Sequence, residues 1–143
     1  MANSAPRYRI AINGYGRIGQ CVLRALVERH HPELEVVAIN ELSDLATITY
    51  LTRYDTTHGR FPGEVDNDGE CLVVNGQRIQ VLCEQDPRKL PWKALDVDLV
   101  LECSGSFKDR ATAEQHLEAG AKRLLISQPA ENDVDATIVW GIN

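Results

Sequence analysis

Gly14, Gly16 and Gly19 form the pattern G-x-G-x-x-G between an apolar run and a helical one, and nothing else in the chain constrains its fold as tightly. Upstream, Arg7 to Asn13 reads as a strand with a buried centre of Ile10, Ala11 and Ile12. Downstream, Ile18, Cys21, Val22, Ala25 and Leu26 recur at the i, i+3, i+4 spacing of a helix. That helix should end near His30, because Pro32 disfavours helix in the residue before it. Glu35 to Asn40 follows as a strand whose apolar run, Val36-Val37-Ala38-Ile39, suits burial on both faces of a parallel sheet.

Each glycine of such a turn has its own task. The first permits a tight turn, the second lets backbone approach a pyrophosphate, and the third lets helix and strand pack closely. An anion lying there meets the unpaired N–H groups and positive end of the helix. The amides of Arg17 and Ile18, in the first turn, are the expected pyrophosphate donors. A dinucleotide site of this kind also expects an acid about 20 residues further on, at the end of the second strand. Glu41 follows Gly19 by 22 positions, directly after Ile39-Asn40. Its carboxylate can accept hydrogen bonds from the adenosine ribose and would repel a 2′-phosphate. Two unit charges 4 Å apart interact by about 4 kcal/mol at an effective dielectric of 20. Glu41 therefore argues for NAD over NADP.

Along the rest of the chain strands and helices alternate, with one interruption. Leu42 to Tyr54 is expected to be helical, with Ser43 as its cap. From Arg60 to Leu82, short strands are separated by Asp66-Asn67-Asp68-Gly69 and by Asn75-Gly76, the second a strong hairpin signal. Alternation resumes with a strand over Val97 to Cys103 and a helix over Asp109 to Ala119, closed by Gly120. Strands over Arg123 to Ser127 and Ala136 to Trp140 complete the pattern. The expected fold is α/β: a Rossmann-like, doubly wound, mostly parallel sheet with an inserted antiparallel hairpin. One domain should span residues 1–143, with 1–6 disordered. In such a sheet the later strand ends face the same crevice. Ser104-Gly105-Ser106-Phe107 and Ser127-Gln128-Pro129 therefore stand where a cofactor would lie, although the residues alone suit ordinary turns equally well.

Composition excludes several other classes. With 143 residues, 43% of them hydrophobic and 25% charged, the chain is globular and needs neither metal nor disulfide to fold. A net charge of −6 without a basic cluster argues against nucleic acid. No apolar run approaches the roughly 20 residues of a membrane span, and Met1 to Pro6 carries no apolar signal core. Cys21, Cys71, Cys83 and Cys103 form no C-x-x-C pair and lie among apolar neighbours, so all four are expected to be buried, reduced thiols in a cytoplasmic protein.

Three ordered motifs resemble one family. Asn13-Gly14-Tyr15-Gly16-Arg17-Ile18-Gly19 is similar to the N-G-F-G-R-I-G opening of glyceraldehyde-3-phosphate dehydrogenases. Tyr54-Asp55-Thr56-Thr57-His58-Gly59-Arg60-Phe61 resembles their Y-D-S-T-H-G-R-F loop, and Glu118-Ala119-Gly120-Ala121-Lys122-Arg123 their T-A-G-A-K-K segment. Within the family, Asn40-Glu41-Leu42 and the stretch from Asn132 to Gly141 look closest to the dehydrogenases of D-erythrose 4-phosphate. The resemblance implies NAD-dependent oxidation of a phosphorylated aldehyde through a cysteine thioester. Erythrose 4-phosphate would yield 4-phosphoerythronate, on the way to pyridoxal phosphate. It implies a cofactor site of Asn13, Gly14, Gly16, Arg17, Ile18, Gly19, Asn40, Glu41, Gln85, Ser104, Gly105, Ser106 and Ser127. Gln85 stands where the family usually has an arginine near the adenine.

The family nucleophile lies in an S-C-T-T-N-C segment, and its base is a histidine further on; neither motif is present. No residue here is expected to be catalytic or to bind metal, and His58 is read as a structural hydrogen-bonder. The expectation is the cofactor half of a longer homotetrameric enzyme, inactive alone and lacking its catalytic domain. Glyceraldehyde-3-phosphate dehydrogenase itself and a stand-alone NAD-binding module are the alternatives.

Overall fold

The computed structural model describes residues 7–29, 31–55, 59–61, 63–105 and 110–127. The apolar run before the glycines forms β1 (Tyr8–Asn13), and the helical spacing after them forms α1 (Arg17–Glu28). Next come β2 (Leu34–Asn40), α2 (Leu45–Arg53), and two short strands, β3 (Tyr54–Asp55) and β4 (Gly59–Arg60), that pair with each other. The interruption comprises β5 (Val65–Asn67), β6 (Cys71–Val74) and β7 (Gln77–Leu82). A 3₁₀ turn at Pro87–Lys89 leads to β8 (Leu99–Glu102), α3 (Arg110–Glu118) and β9 (Arg123–Ile126). The seven-stranded sheet has the order β5-β6-β7-β2-β1-β8-β9. The pairings from β7 through β2, β1 and β8 to β9 are parallel, and β5 and β6 add an antiparallel edge. The order steps outward from β1 to β2 and then returns to β8 on the other side of β1, which places a topological switch point at the ends of β1 and β8.

Each face of the sheet has its own core. On one face, Ile12, Val36, Ile39, Leu72 and Ile79 pack with Leu23 of α1 and Ile48 of α2. On the other, Ala11, Val37, Ala38 and Val100 pack with Leu90, Trp92, Val97 and Ala121. Side chains such as Ile12, Ile39, Ile48 and Leu72 are completely buried, each stabilising the fold by about 1.5–3 kcal/mol. The run Val36-Val37-Ala38-Ile39 is buried throughout, but it does not alternate. Ile10 pairs with Val36 and Ala11 with Ala38, so Val37 is an extra residue. This β-bulge puts Val37 and Ala38 into the same core and sends Val36 and Ile39 into the opposite one.

Three local expectations are corrected. The cap of α2 is Asp44, whose Oδ1 accepts from the Thr47 amide at 2.7 Å; Ser43 is engaged elsewhere. The turn before β6 is shorter than expected, because Asp66 and Asn67 belong to β5. Asp68 makes the turn, its Oδ1 accepting from the amides of Glu70 and Cys71. Cys83 is exposed, while Cys21, Cys71 and Cys103 are only half-buried; all four are free thiols. The proposed terminal strand over Ala136 to Trp140 lies outside the described residues.

The hairpin between β6 and β7 turns on Asn75 at φ 50° and Gly76 at φ 83°, both left-handed, as a type I′ turn requires. A Cβ on Gly76 would meet no atom within 4 Å. Gly76→Ala should therefore cost only the backbone term, about 1–2 kcal/mol. Chemical denaturation would read this, and an unchanged midpoint would contradict it.

Candidate functional site

The turn after β1 divides its work among three glycines. Gly14 adopts φ 92°, and a Cβ there would lie 2.5 Å from the backbone of Ser104, the loop leaving β8. A Cβ on Gly19 would lie 2.5 Å from the Gly14 carbonyl oxygen. These two glycines let β1, α1 and the β8 loop close on one another. Gly16 differs: its backbone, at φ −81° and ψ −153°, requires no glycine, and a Cβ there would meet nothing within 4 Å. Gly16 is also the N-cap of α1, with no side-chain cap and no acid in the first turn. The turn thus leaves an open cradle at the positive end of a helix, which a Cβ would fill and a pyrophosphate fits.

Glu41 borders this cradle. The Tyr15 amide, within the glycine turn, donates to Glu41 Oε1 at 2.8 Å, and the Ser43 hydroxyl donates to Oε2 at 2.9 Å. The Tyr15 ring turns inward, and its hydroxyl lies 2.7 Å from Thr52 Oγ1 on α2. Thr52 spends its own proton on the Ile48 carbonyl, so Tyr15 is the donor. Burial pushes the Tyr15 phenol up to about 12, against the opposing pull of Thr52 and the Arg24 charge.

A row of polar side chains crosses the carboxyl ends of three adjacent strands. Asn40 of β2 donates to Asn13 of β1 at 2.7 Å, and Asn13 donates to Glu102 of β8 at 2.8 Å. Asn40 also brackets Glu84, accepting from its amide at 2.9 Å and donating to its carbonyl at 2.8 Å. Glu102 has no exposed surface, and neither has His116 of α3 beside it. Trp92 Nε1–H can only donate, and it lies 3.1 Å from His116 Nδ1. The neutral imidazole therefore carries its proton on Nε2 and donates it to Glu102 at 2.7 Å. The amide and hydroxyl of Ser104 donate to the other carboxylate oxygen. Burial alone would push the Glu102 carboxyl up; the bonds from His116, Ser104 and Asn13 outweigh it and hold it below the ordinary glutamate range.

The residues expected at the site separate into groups. Gly14, Gly16, Arg17, Ile18, Gly19 and Glu41 come together around the cradle, with Arg17 and Ile18 exposed. Asn13 and Asn40 lie beneath it with their side chains committed to protein partners. The Ser104 backbone closes on Gly14, Gly105 follows it in the same loop, and Gln85 is exposed past the end of β7. Ser127, past β9, bonds the Cys103 thiol. Burial and the Glu102 charge raise that thiol's pKa despite the Ser127 bond, which opposes a thiolate there. Ser106 and His58 lie outside the described residues, among which no cluster of metal-ligating side chains occurs. Sequence reasoning missed Glu102, His116 and Trp92. The one signal was an acid closing the apolar strand Leu99-Val100-Leu101.

Two predictions follow from this geometry. Gly14→Ala should destabilise the fold by about 2–4 kcal/mol, through left-handed strain and overpacking. Gly16→Val should fold normally and lose nucleotide affinity. Equal thermal midpoints for the two variants would refute this division. For Glu102, a folded-state pKa below the unfolded value means its stabilisation is present above about pH 4.3. That stabilisation is lost as pH falls through the folded-state value. Glu102→Gln should cost about 1–3 kcal/mol at pH 7 and flatten the acid limb of a stability profile between pH 7 and pH 3. An unchanged acid limb would refute the assignment.

The family described as "Glyceraldehyde 3-phosphate dehydrogenase, NAD binding domain" matches residues 8–110. The chain is 56% identical over 138 residues to a plasmid-encoded glyceraldehyde-3-phosphate dehydrogenase of Cupriavidus necator. It is 55% identical over 136 residues to the protein of that name from Pseudomonas aeruginosa, and 50% over 135 residues to that from Thermotoga maritima. Each comparison covers 94% of this chain and 40% of the relative, so the chain spans less than half the length of the curated relatives it matches. The strand order, the glycine turn and these likenesses agree: the chain belongs to the glyceraldehyde-3-phosphate dehydrogenase family and carries that family's NAD-binding domain.

Proposed function

We propose that this chain is the cofactor half of an NAD-dependent dehydrogenase of a small phosphorylated aldehyde. The observation that carries this reading is the open space at Gly16, a glycine that neither backbone angle nor packing requires, at the uncapped start of α1. The amides of Arg17 and Ile18 hold the pyrophosphate there, and Glu41 accepts from a ribose hydroxyl. Asn13 and Asn40 support the turn from beneath. Gln85, Ser104, Gly105 and Ser127 line the adenine and nicotinamide sides, and the family pattern assigns Ser106 the same role. NAD, when bound, supplies the hydride acceptor.

The nucleophile, its base and the substrate-phosphate site belong to the remainder of the protein, which forms a homotetramer in the cytoplasm on this reading. The names of the three relatives support glyceraldehyde 3-phosphate as substrate. A second reading, D-erythrose 4-phosphate, draws its support from Asn40-Glu41-Leu42, a glutamate where the glyceraldehyde enzymes usually carry aspartate. Turnover of the full-length protein with each aldehyde separates the two: a kcat/KM favouring the three-carbon substrate supports the first and sinks the second.

For the chain itself, calorimetric titration should show NAD bound in preference to NADP, with that preference reduced at least tenfold in Glu41→Ala. This fold-change corresponds to about 1.4 kcal/mol, well inside the like-charge repulsion that a 2′-phosphate would meet. Equal affinities in the wild-type chain would remove Glu41 from the site.

A further inference from the structure

Glu41 is gripped from two sides before any nucleotide arrives. Its own amide donates to the Leu82 carbonyl at 2.9 Å, which pins the residue to the end of β7. At the far end of the side chain, Tyr15 N–H reaches Oε1 from the glycine turn. Ser43 reaches Oε2 twice, through its hydroxyl at 2.9 Å and its amide at 3.2 Å. A carboxylate offers about four acceptor sites. Three donors therefore leave one, on Oε1, and hold the charge in one place.

Ser43 is not needed for the helix behind it. Asp44 caps α2, so among the described residues the Ser43 hydroxyl bonds Glu41 alone. Ser43 is exposed and belongs to neither core. Glutamate has three side-chain torsions, and an unrestrained carboxylate would swing away from a 2′-phosphate at little cost. Discrimination by charge requires that the charge cannot move aside. We propose that Ser43 is the residue that fixes the Glu41 carboxylate and thereby sets the NAD-over-NADP selectivity of this site. The proposal rests on the reading of Glu41 as the ribose acceptor. Ser43 is a positioning residue: it acts on the nucleotide only through Glu41.

Two effects follow from removing the hydroxyl. The ribose loses a preorganised acceptor, so NAD binds more weakly. The carboxylate gains freedom to retreat, so the 2′-phosphate is repelled less. Both lower the ratio of NAD to NADP affinity. A loss of about threefold to tenfold in that ratio is expected for one hydrogen bond.

The test is calorimetric titration of this chain with NAD and with NADP, for the wild type, Ser43→Ala and Ser43→Thr. Ser43→Ala should keep the wild-type thermal midpoint and lose selectivity, and Ser43→Thr, which restores a hydroxyl, should regain it. A merely structural role would weaken both nucleotides together and leave their ratio unmoved. An unchanged ratio in Ser43→Ala, or a ratio that Ser43→Thr does not restore, overturns the proposal while the NAD site stands. A wild-type chain that binds NAD no better than NADP overturns the reading of Glu41 and this proposal with it.

Discussion

A carboxylate with no exposed surface sits where β8 meets the cofactor crevice, and the geometry of that crevice hangs on how its charge is satisfied. Glu102 accepts from Asn13, His116 and both donors of Ser104. An isolated buried charge would be prohibitive, whereas one fully surrounded by donors orders each of them. The donors come from β1, from α3 and from the loop above Gly14. Glu102 thus ties the glycine turn, the β8 loop and the helix on the far face to a single point. The neutral imidazole of His116, fixed in one tautomer by Trp92, carries that order into the second core. This arrangement explains how an open cradle keeps its shape: the rigid elements lie beneath and behind it, and the space itself stays clear.

The glycine turn shows the same economy from the steric side. Close approach at Gly14 and Gly19 draws strand, helix and loop together, and the absence of any contact at Gly16 leaves the helix end open. Glu41 then stands at the rim, held by a backbone amide of that turn. Binding energy is conserved when the groups meeting a ligand are already ordered by the protein.

The strand–turn–helix frame, the acid after β2 and the Asn75-Gly76 hairpin were all legible in the sequence, because each is a local signal. Periodicity, a turn dipeptide and a spacing of some twenty residues need no knowledge of distant partners. The buried row was not legible for the converse reason. His116 lies 14 residues from Glu102 and 24 from Trp92, and Glu102 lies 89 from Asn13. Only the parallel sheet brings them together. Ser43 was misread because Ser43 and Asp44 are both good caps, and which of them closes the helix depends on where the chain turns. The exposure of Cys83 was missed because its apolar neighbours lie at the end of a strand, not within it.

The bulge at Val37 sets which way the end of β2 points. In a regular strand, residues four apart share a face, and Asn40 would lie with Val36 against α1 and α2. One extra residue reverses the phase, so Val36 stays in that core while Asn40 turns to the opposite side, level with Asn13 and Glu102. The strand therefore behaves as a phase shifter with two independent ends. Its beginning answers to hydrophobic packing and its end to the polar row. A one-residue deletion at the bulge would leave a well-formed strand that delivers the Asn40 amide to the wrong side of the sheet.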